Sequence, residues 1–256
     1  FAALAIARGL TRRRSLCAEH RSRARHDAKR LTMGKKRIDE SPSVQLSKKL
    51  SAVLRHRIDE NGLRPVLRPD GYVPLSALLE VKGFGGTSVE QVRAVVEGND
   101  KQRFALLEEP DGTIFIRANQ GHTVSGLDAD EMLTRMDEAA AAELGGRAVH
   151  GTYRAAWAKI VASGGLSKMK RNHIHLAANL PGDSGVISGM RSSAEVHVWV
   201  DLRGAIAAGI PFFRSANGVV LTPGDASGVL PLRFFERAVD PSRGQIWREG
   251  AWEREA

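Results

Sequence analysis

Between Arg103 and His122 the chain reads RFALLEEPDGTIFIRANQGH, and this stretch restricts the fold more than any other. Ile114, Ile116 and Ala118 recur at a two-residue period, the mark of a half-buried strand. Pro110-Asp111-Gly112 predicts the turn that folds this strand back on its predecessor, RFALLE. The second strand ends in Arg117, Asn119, Gln120, Gly121 and His122. These are hydrogen-bond donors grouped around a glycine whose bare backbone can approach a ligand. An anion is the guest that suits them.

Helical patterns precede the hairpin. In SVQLSKKLSAVLRHR, Val44, Leu46, Leu50, Val53 and Leu54 fall near helical spacing, so Arg55 and His56 stand at the C-terminal end of an amphipathic helix. RPDGYVPLSALLEV predicts a turn and a short helix. SVEQVRAVVEGND opens with Ser88 and Gln91 at capping-box spacing and closes at Gly98. Three helices followed by a two-stranded hairpin predict a winged-helix lobe over 43–122.

The net charge of +9 suggests nucleic acid, but its distribution corrects that reading. Residues 1–37 hold 12 Lys/Arg and 2 Asp/Glu, leaving 26 basic against 27 acidic residues elsewhere. Any anion site in the folded part must therefore be a local basic patch. The leader, taken as 1–42, is Arg- and Ala-rich, as in an organellar transit peptide; a disordered basic arm, or translation upstream of Met33, are the other readings. The one cysteine, Cys17, excludes a disulfide framework and a cysteine metal site. It suits a reducing compartment, cytoplasmic or nuclear. No run reaches the roughly 18 apolar residues of a membrane span.

Residues 123–147, acidic and alanine-rich between glycines, read as a linker with one short helix. From Ala148 the pattern turns to mixed α and β: AVHGTY as a strand, RAAWAKIVASGGL as a helix stopped by glycines, HIHLA and EVHVWVD as strands. GIPFFRSANGVVLTPG reads as a hairpin turning tightly at Asn217-Gly218. A second, mostly antiparallel lobe over 148–240 is expected, followed by a tail over 241–256, and the fold class is α+β.

No G-x-G-x-x-G follows a strand and no G-x-x-x-x-G-K-[ST] occurs, so neither a Rossmann site nor a P-loop is signalled. His173 and His175 would share one strand face, but no third metal ligand accompanies them. His150-Gly151-Thr152 places a ring, a bare backbone and a hydroxyl at a strand end. GVISGMRSS carries two glycines, hydroxyls and Arg191, as a phosphate-holding loop does, though a surface arginine reads the same way. Singly, these stretches decide nothing.

In order, however, LSKKLSAVLRHR, GYVPLSALL, QRFALLEEPDGTIFIRANQGH, AVHGTY, HIHLA, GVISGMR, GIPFFRSANGVVLTPG and GVLPLRFF resemble the NAD-dependent tRNA 2′-phosphotransferases, from about Leu46 to about Phe235. The resemblance implies a winged-helix N-terminal lobe and a C-terminal lobe of the ADP-ribosyltransferase type. It also implies NAD+ as a consumed co-substrate, no metal, and 2′-phosphorylated tRNA as partner; no obligate protein partner is signalled. In the family the RNA 2′-phosphate attacks C1″ of the nicotinamide ribose and nicotinamide leaves. O2″ then attacks the bridging phosphorus, giving 2′-hydroxyl RNA and ADP-ribose 1″,2″-cyclic phosphate.

Without a metal, guanidinium groups must neutralise the charge that builds at phosphorus. The family's catalytic Arg-His-Arg-Arg set falls on Arg55, His56, Arg117 and Arg191. Arg55, His56, Arg117 and Asn119 are expected on the RNA phosphate, with His56 able to exchange a proton. His150, Gly151, Thr152, His175, Ser188, Gly189, Arg214 and Asn217 are expected on the NAD+ side. Protein ADP-ribosylating relatives carry a late glutamate where NGVVLT offers Val219 or Val220, which disfavours that activity. Two rival readings remain: an ADP-ribosyltransferase that stops at an adduct on nucleic-acid phosphate ends, and a non-catalytic RNA-binding winged-helix protein.

Overall fold

The computed structural model describes residues 41–180, 190–191, 193–248 and 251–252; the basic leader up to residue 40 lies outside them. The first helix, α1 (Pro42–His56), buries Leu50, Val53 and Leu54 on one stripe. Its end is closed by Thr123, whose backbone N–H donates to the Arg55 carbonyl at 2.9 Å. That bond satisfies one of the carbonyls a helix C-terminus leaves open. It also brings the end of α1 against the segment that follows the hairpin.

β1 (Val73–Pro74), α2 (Leu75–Leu79) and α3 (Val89–Glu97) follow. The expected capping box forms at α3: Gln91 N–H donates to Ser88 Oγ, and Ser88 N–H to the Gln91 side chain. β2 (Phe104–Glu108) and β3 (Ile114–Ala118) make the expected hairpin, with β1 on the far edge of β3. Gly112 turns it at φ 84°. The three helices pack on this sheet around Leu50, Ile58, Leu75, Leu78, Phe84, Val92 and Ile116.

The segment read as a linker is instead part of the second lobe. It forms α4 (Ala129–Met132), β4 (Thr134–Met136) and α5 (Glu138–Glu143). β4 edges a four-stranded sheet, β4-β9-β10-β7, built with β7 (Ile174–Leu176), β9 (Phe212–Arg214) and β10 (Val220–Thr222). A three-residue strand with one buried side chain, Met136, shows too little periodicity to be read beforehand.

The tail is corrected likewise. β13 (Gly244–Arg248) and β14 (Ala251–Trp252) extend a five-stranded sheet, β14-β13-β12-β8-β5, with β5 (Arg147–Thr152), β8 (Val196–Asp201) and β12 (Phe235–Asp240). Trp247 is fully buried and meets Phe235 and Trp157 edge-on, at ring-centroid distances of 5.8 and 6.3 Å. Trp157 belongs to α6 (Arg154–Ala162), so the tail closes the core of the second lobe.

The Asn217-Gly218 hairpin is also longer than a two-residue turn. Gly218 N–H donates to the Ser215 carbonyl and Gly218 takes φ 77°, a loop closed through a left-handed glycine. β6 (Gly165–Ser167) and β11 (Val229–Pro231) pair as a separate two-stranded sheet, and the four- and five-stranded sheets meet at an isolated antiparallel bridge, Val149 to Ala177. Both lobes fall within one compact unit, 42–256. No helix among the described residues is long and apolar enough to cross a membrane.

Candidate active site

At that bridge β5 and β7 diverge and leave a pocket of about 260 Å³, with His150, Thr152, Arg171, His175, Met190 and Arg191 in its lining. His150 Nδ1 lies 2.9 Å from the His175 carbonyl oxygen. Nδ1 must therefore carry the proton, and Nε2 of the neutral ring is left as an acceptor. Burial holds the His150 pKa below the usual range, so the neutral form prevails near pH 7. His175 repeats the arrangement, with Nδ1 3.0 Å from the His173 carbonyl oxygen. Its Nε2 is 2.8 Å from the side-chain Oε1 of Gln120, which arrives from the end of β3. A neutral ring with Nδ1 protonated bonds there only when the Gln120 amide is turned to present its N–H. Burial and the charge of Arg171 push its pKa down to about 3.

Gly151 does not present open backbone. A Cβ there would stand 2.1 Å from Met190 Sδ and 2.9 Å from Ala194 Cβ. The missing side chain lets Met190 lie on β5, which sets the following residue, Arg191, at the pocket mouth. Arg191 Nη1 donates to Tyr153 Oη at 3.4 Å, and the Tyr153 pKa is lowered by that contact.

From the N-terminal lobe, Arg55 crosses the turn at Gly121. The Arg55 side chain lies 3.5 Å from where a Gly121 Cβ would be, and Gly121 holds φ 91°. Arg55 is half-buried, and its enclosed Nε and Nη2 have no hydrogen-bond partner among the described residues. Burial first, then the charges of Arg103 and Arg171, lower its pKa to about 10. His56 Nδ1 sits 3.1 Å from Thr123 Oγ1; partial burial, then Arg55, Arg171 and Arg57, lower its pKa.

Arg171 is the residue that sequence reasoning missed. It lines the pocket, and its charge reaches Arg55, His56, His150 and His175. Its loop is stitched across the lobes, because Asn172 donates from N–H to the His122 carbonyl and from Nδ2 to the Val124 carbonyl, both at 2.9 Å. Its own pKa is lowered by burial and by Arg191. Every charge that shifts Arg55, His56 and Arg171 is thus another cation. Groups that repel one another and keep buried donors free form a site preorganised for a multiply charged anion.

Arg117 adjoins this group and does not join it directly. Its guanidinium stacks on Tyr72, 4.6 Å from the ring centroid, and Nη1 donates to the Asp70 carbonyl at 2.9 Å. Its Nε is buried without a partner among the described residues. Arg117 and Arg55 both act on buried His122, whose pKa falls to about 3, chiefly through burial.

The residues 41–224 match the RNA 2′-phosphotransferase, Tpt1 / KptA family. The chain is 47% identical to tRNA 2′-phosphotransferase 1 of Bos taurus over 220 residues, covering 85% of this chain and 84% of that protein. It is 47% identical to tRNA 2′-phosphotransferase 1 of Danio rerio, covering 79% and 88%. With the tRNA 2′-phosphotransferase of Saccharomyces cerevisiae the identity is 35%, covering 77% and 83%. The chain belongs to the RNA 2′-phosphotransferase family.

In this chain, Arg55, His56, Arg171 and Arg191 form one electrostatic cluster, with His150 and His175 in the pocket lining. Other expected site residues stand elsewhere. Arg214, exposed on β9, is 4.0 Å from Glu143. Asn217 is buried, and its Nδ2 donates to the Lys101 carbonyl across the lobes at 2.8 Å. Asn119 is buried too, giving Nδ2 to the Gln102 carbonyl and leaving Oδ1 without a partner among the described residues. Ser188 and Gly189 lie outside the described residues. Among those described, no three His, Cys, Asp or Glu side chains group as metal ligands.

Proposed function

We propose that the protein transfers the 2′-phosphate of tRNA to NAD+, leaving a 2′-hydroxyl and releasing nicotinamide and ADP-ribose 1″,2″-cyclic phosphate. The observation that carries this reading is the all-cation cluster of Arg55, His56, Arg171 and Arg191 beside a pocket floored by two neutral histidines. The N-terminal lobe serves as a winged-helix phosphate holder and the C-terminal lobe as an ADP-ribosyltransferase-like NAD+ holder. The pocket residues suit that co-substrate: Nε2 of the neutral His150 can accept a ribose or amide hydrogen, and the charges of Arg171 and Arg191 suit a pyrophosphate. NAD+ supplies the electrophilic C1″ and its nicotinamide leaving group.

Arg55, whose enclosed Nε and Nη2 have no partner among the described residues, grips the incoming phosphate dianion, and Arg117 supports the same lobe surface through its Nε. His56 is neutral before the anion arrives. The negative charge favours its protonated form, which makes it the group able to take and return a proton. Arg191, at the mouth, offsets the charge that develops at phosphorus in the second step. The test is incubation with a 2′-phosphorylated oligoribonucleotide, with and without NAD+, in EDTA. Phosphate loss only with NAD+, with cyclic phosphate as product, is expected. A product that stops at an RNA–ADP-ribose adduct would favour the ADP-ribosyltransferase reading.

A further inference from the structure

Arg68 and Arg117 share the Tyr72 ring, and their surroundings treat the two charges differently. Val73 and Ile116 pair across β1 and β3 and are fully buried. The alternate positions, Tyr72, Phe115 and Arg117, therefore belong to the other face of the sheet. There the Arg117 guanidinium lies 4.6 Å from the Tyr72 ring centroid. That of Arg68 lies 5.9 Å from the same centroid and 5.2 Å from that of Phe115. Arg68 is neutralised, since Nη1 donates to Glu109 at 2.8 Å and Nη2 to Asp70 at 3.1 Å. Arg117 has no carboxylate partner among the described residues. Its Nη1 donates to the Asp70 carbonyl at 2.9 Å, and its enclosed Nε has no partner among them.

One turn produces both outcomes. Arg68 N–H donates to the Tyr72 carbonyl and Gly71 N–H to the Arg68 carbonyl, both at 2.9 Å, with Gly71 at φ 83°. The Asp70 carboxylate accepts from Tyr72 N–H at 3.2 Å and from Arg68. It is thereby engaged on the Arg68 side, and only the uncharged carbonyl of Asp70 reaches Arg117. A ring face and a carbonyl hold a guanidinium through partial charges, so its full charge stays available to an anion. A carboxylate in their place would compete with that anion.

We propose that Tyr72 is the positioning residue of Arg117: its ring holds the guanidinium ready for the RNA 2′-phosphate without neutralising it. The inference rests on the phosphotransfer reading, in which Arg117 serves that phosphate. The ring face carries the effect, so the Tyr72 hydroxyl should be dispensable.

The test measures binding of a 2′-phosphorylated oligoribonucleotide and of its 2′-hydroxyl counterpart to the full chain, without NAD+, by fluorescence anisotropy. The ratio of the two affinities isolates what the 2′-phosphate contributes. Tyr72→Phe, which keeps a ring face, should keep the wild-type ratio. Tyr72→Leu should lower it on the order of tenfold. In Arg117→Gln, where the guanidinium is gone, adding Tyr72→Leu should lower the ratio no further. General damage to the lobe would instead weaken both oligonucleotides together, or add to the loss in Arg117→Gln. Should Tyr72→Leu fail to fold, Tyr72→Met, unbranched and able to fill an irregular space, takes its place. A wild-type ratio without the ring, a Tyr72→Phe as poor as Tyr72→Leu, or an equal loss with and without Arg117 would overturn the positioning role. Wild-type protein that prefers the 2′-phosphorylated strand but removes no 2′-phosphate with NAD+ would overturn the phosphotransfer reading instead, and one with no preference would overturn both.

Discussion

Met190 occupies the space that a side chain at Gly151 would fill, its sulfur 2.1 Å from the place of the missing Cβ. The glycine thus acts through its neighbour: by admitting Met190 it sets the reach of Arg191. Gly151→Ala should lower kcat on the order of 10²-fold, the scale of one misplaced charge-stabilising donor. Adding Met190→Ala, which removes the Sδ and Cγ contacts, should recover part of that loss. Steady-state kinetics of the single and double variants check this, and a double variant no faster than Gly151→Ala would place the fault elsewhere.

Arg171 sits among Arg55, His56, His175 and Arg191; burial first lowers the pKa of both histidines, and the charge of Arg171, with that of Arg55, adds to the effect. Arg171→Gln should slow turnover on the order of 10²–10³-fold and raise the His56 pKa, read from the imidazole NMR resonances as a function of pH. A normal rate with an unmoved titration would remove Arg171 from the site.

Arg55 keeps Nε and Nη2 enclosed without partners among the described residues, a cost that an anion relieves. Inorganic phosphate should therefore raise Tm, by about 2.7 kcal/mol of stabilisation at a hundredfold excess over Kd. Differential scanning fluorimetry should show this shift in wild type and lose most of it in Arg55→Gln. Equal shifts in both would mean that the ion binds elsewhere.

Acid should weaken the fold. His122 and His175 have pKa values of about 3 and His173 of about 4, all lowered chiefly by burial, against 6.5 in the unfolded chain. Between about pH 4 and 6.5 the unfolded state binds more protons, so stability rises with pH and falls as pH drops through that window. Each ring contributes up to about 1.4 kcal/mol per pH unit. Urea midpoints measured from pH 7 to 4.5 should decline steeply, and less so in His173→Gln; a flat profile would contradict the buried, neutral rings.

The two chemical steps should separate by variant. Arg191→Ala, losing a donor at the mouth, should accumulate RNA-2′-phospho-ADP-ribose. His150→Ala should slow formation of that adduct and accumulate nothing. Denaturing gels of a labelled oligonucleotide resolve the species, and a wild-type rate without adduct in Arg191→Ala would exclude this arginine.

What the sequence displayed of the fold and site follows from how local each signal is. The hairpin around Asp111-Gly112, the stripe of α1 and the Ser88–Gln91 box are set by residues a few positions apart, and they could be read directly. β4 and the Trp247 strand could not, since each is recognised by the sheet it joins and not by its own periodicity. Arg171 was hidden because it ends a run, Lys168-Met169-Lys170-Arg171, that reads as a solvated cationic turn. Only the Asn172 bonds to the other lobe turn it inward. Gly151 was noticed for the right property, a missing side chain, but the space it leaves is taken by Met190 and not by open backbone.

The bond from Asn217 to the Lys101 carbonyl spans 116 positions of chain. With Gln120–His175 and the paired bonds of Asn172, it means that the boundary near residue 122 is a boundary in sequence pattern alone. Cutting the gene there would yield two fragments that each lack half of a shared seam, and neither should be a free-standing module. Residues 42–256, one compact unit, should melt in one cooperative transition, and a grafted lobe from a distant homologue would have to bring its own half of the seam with it.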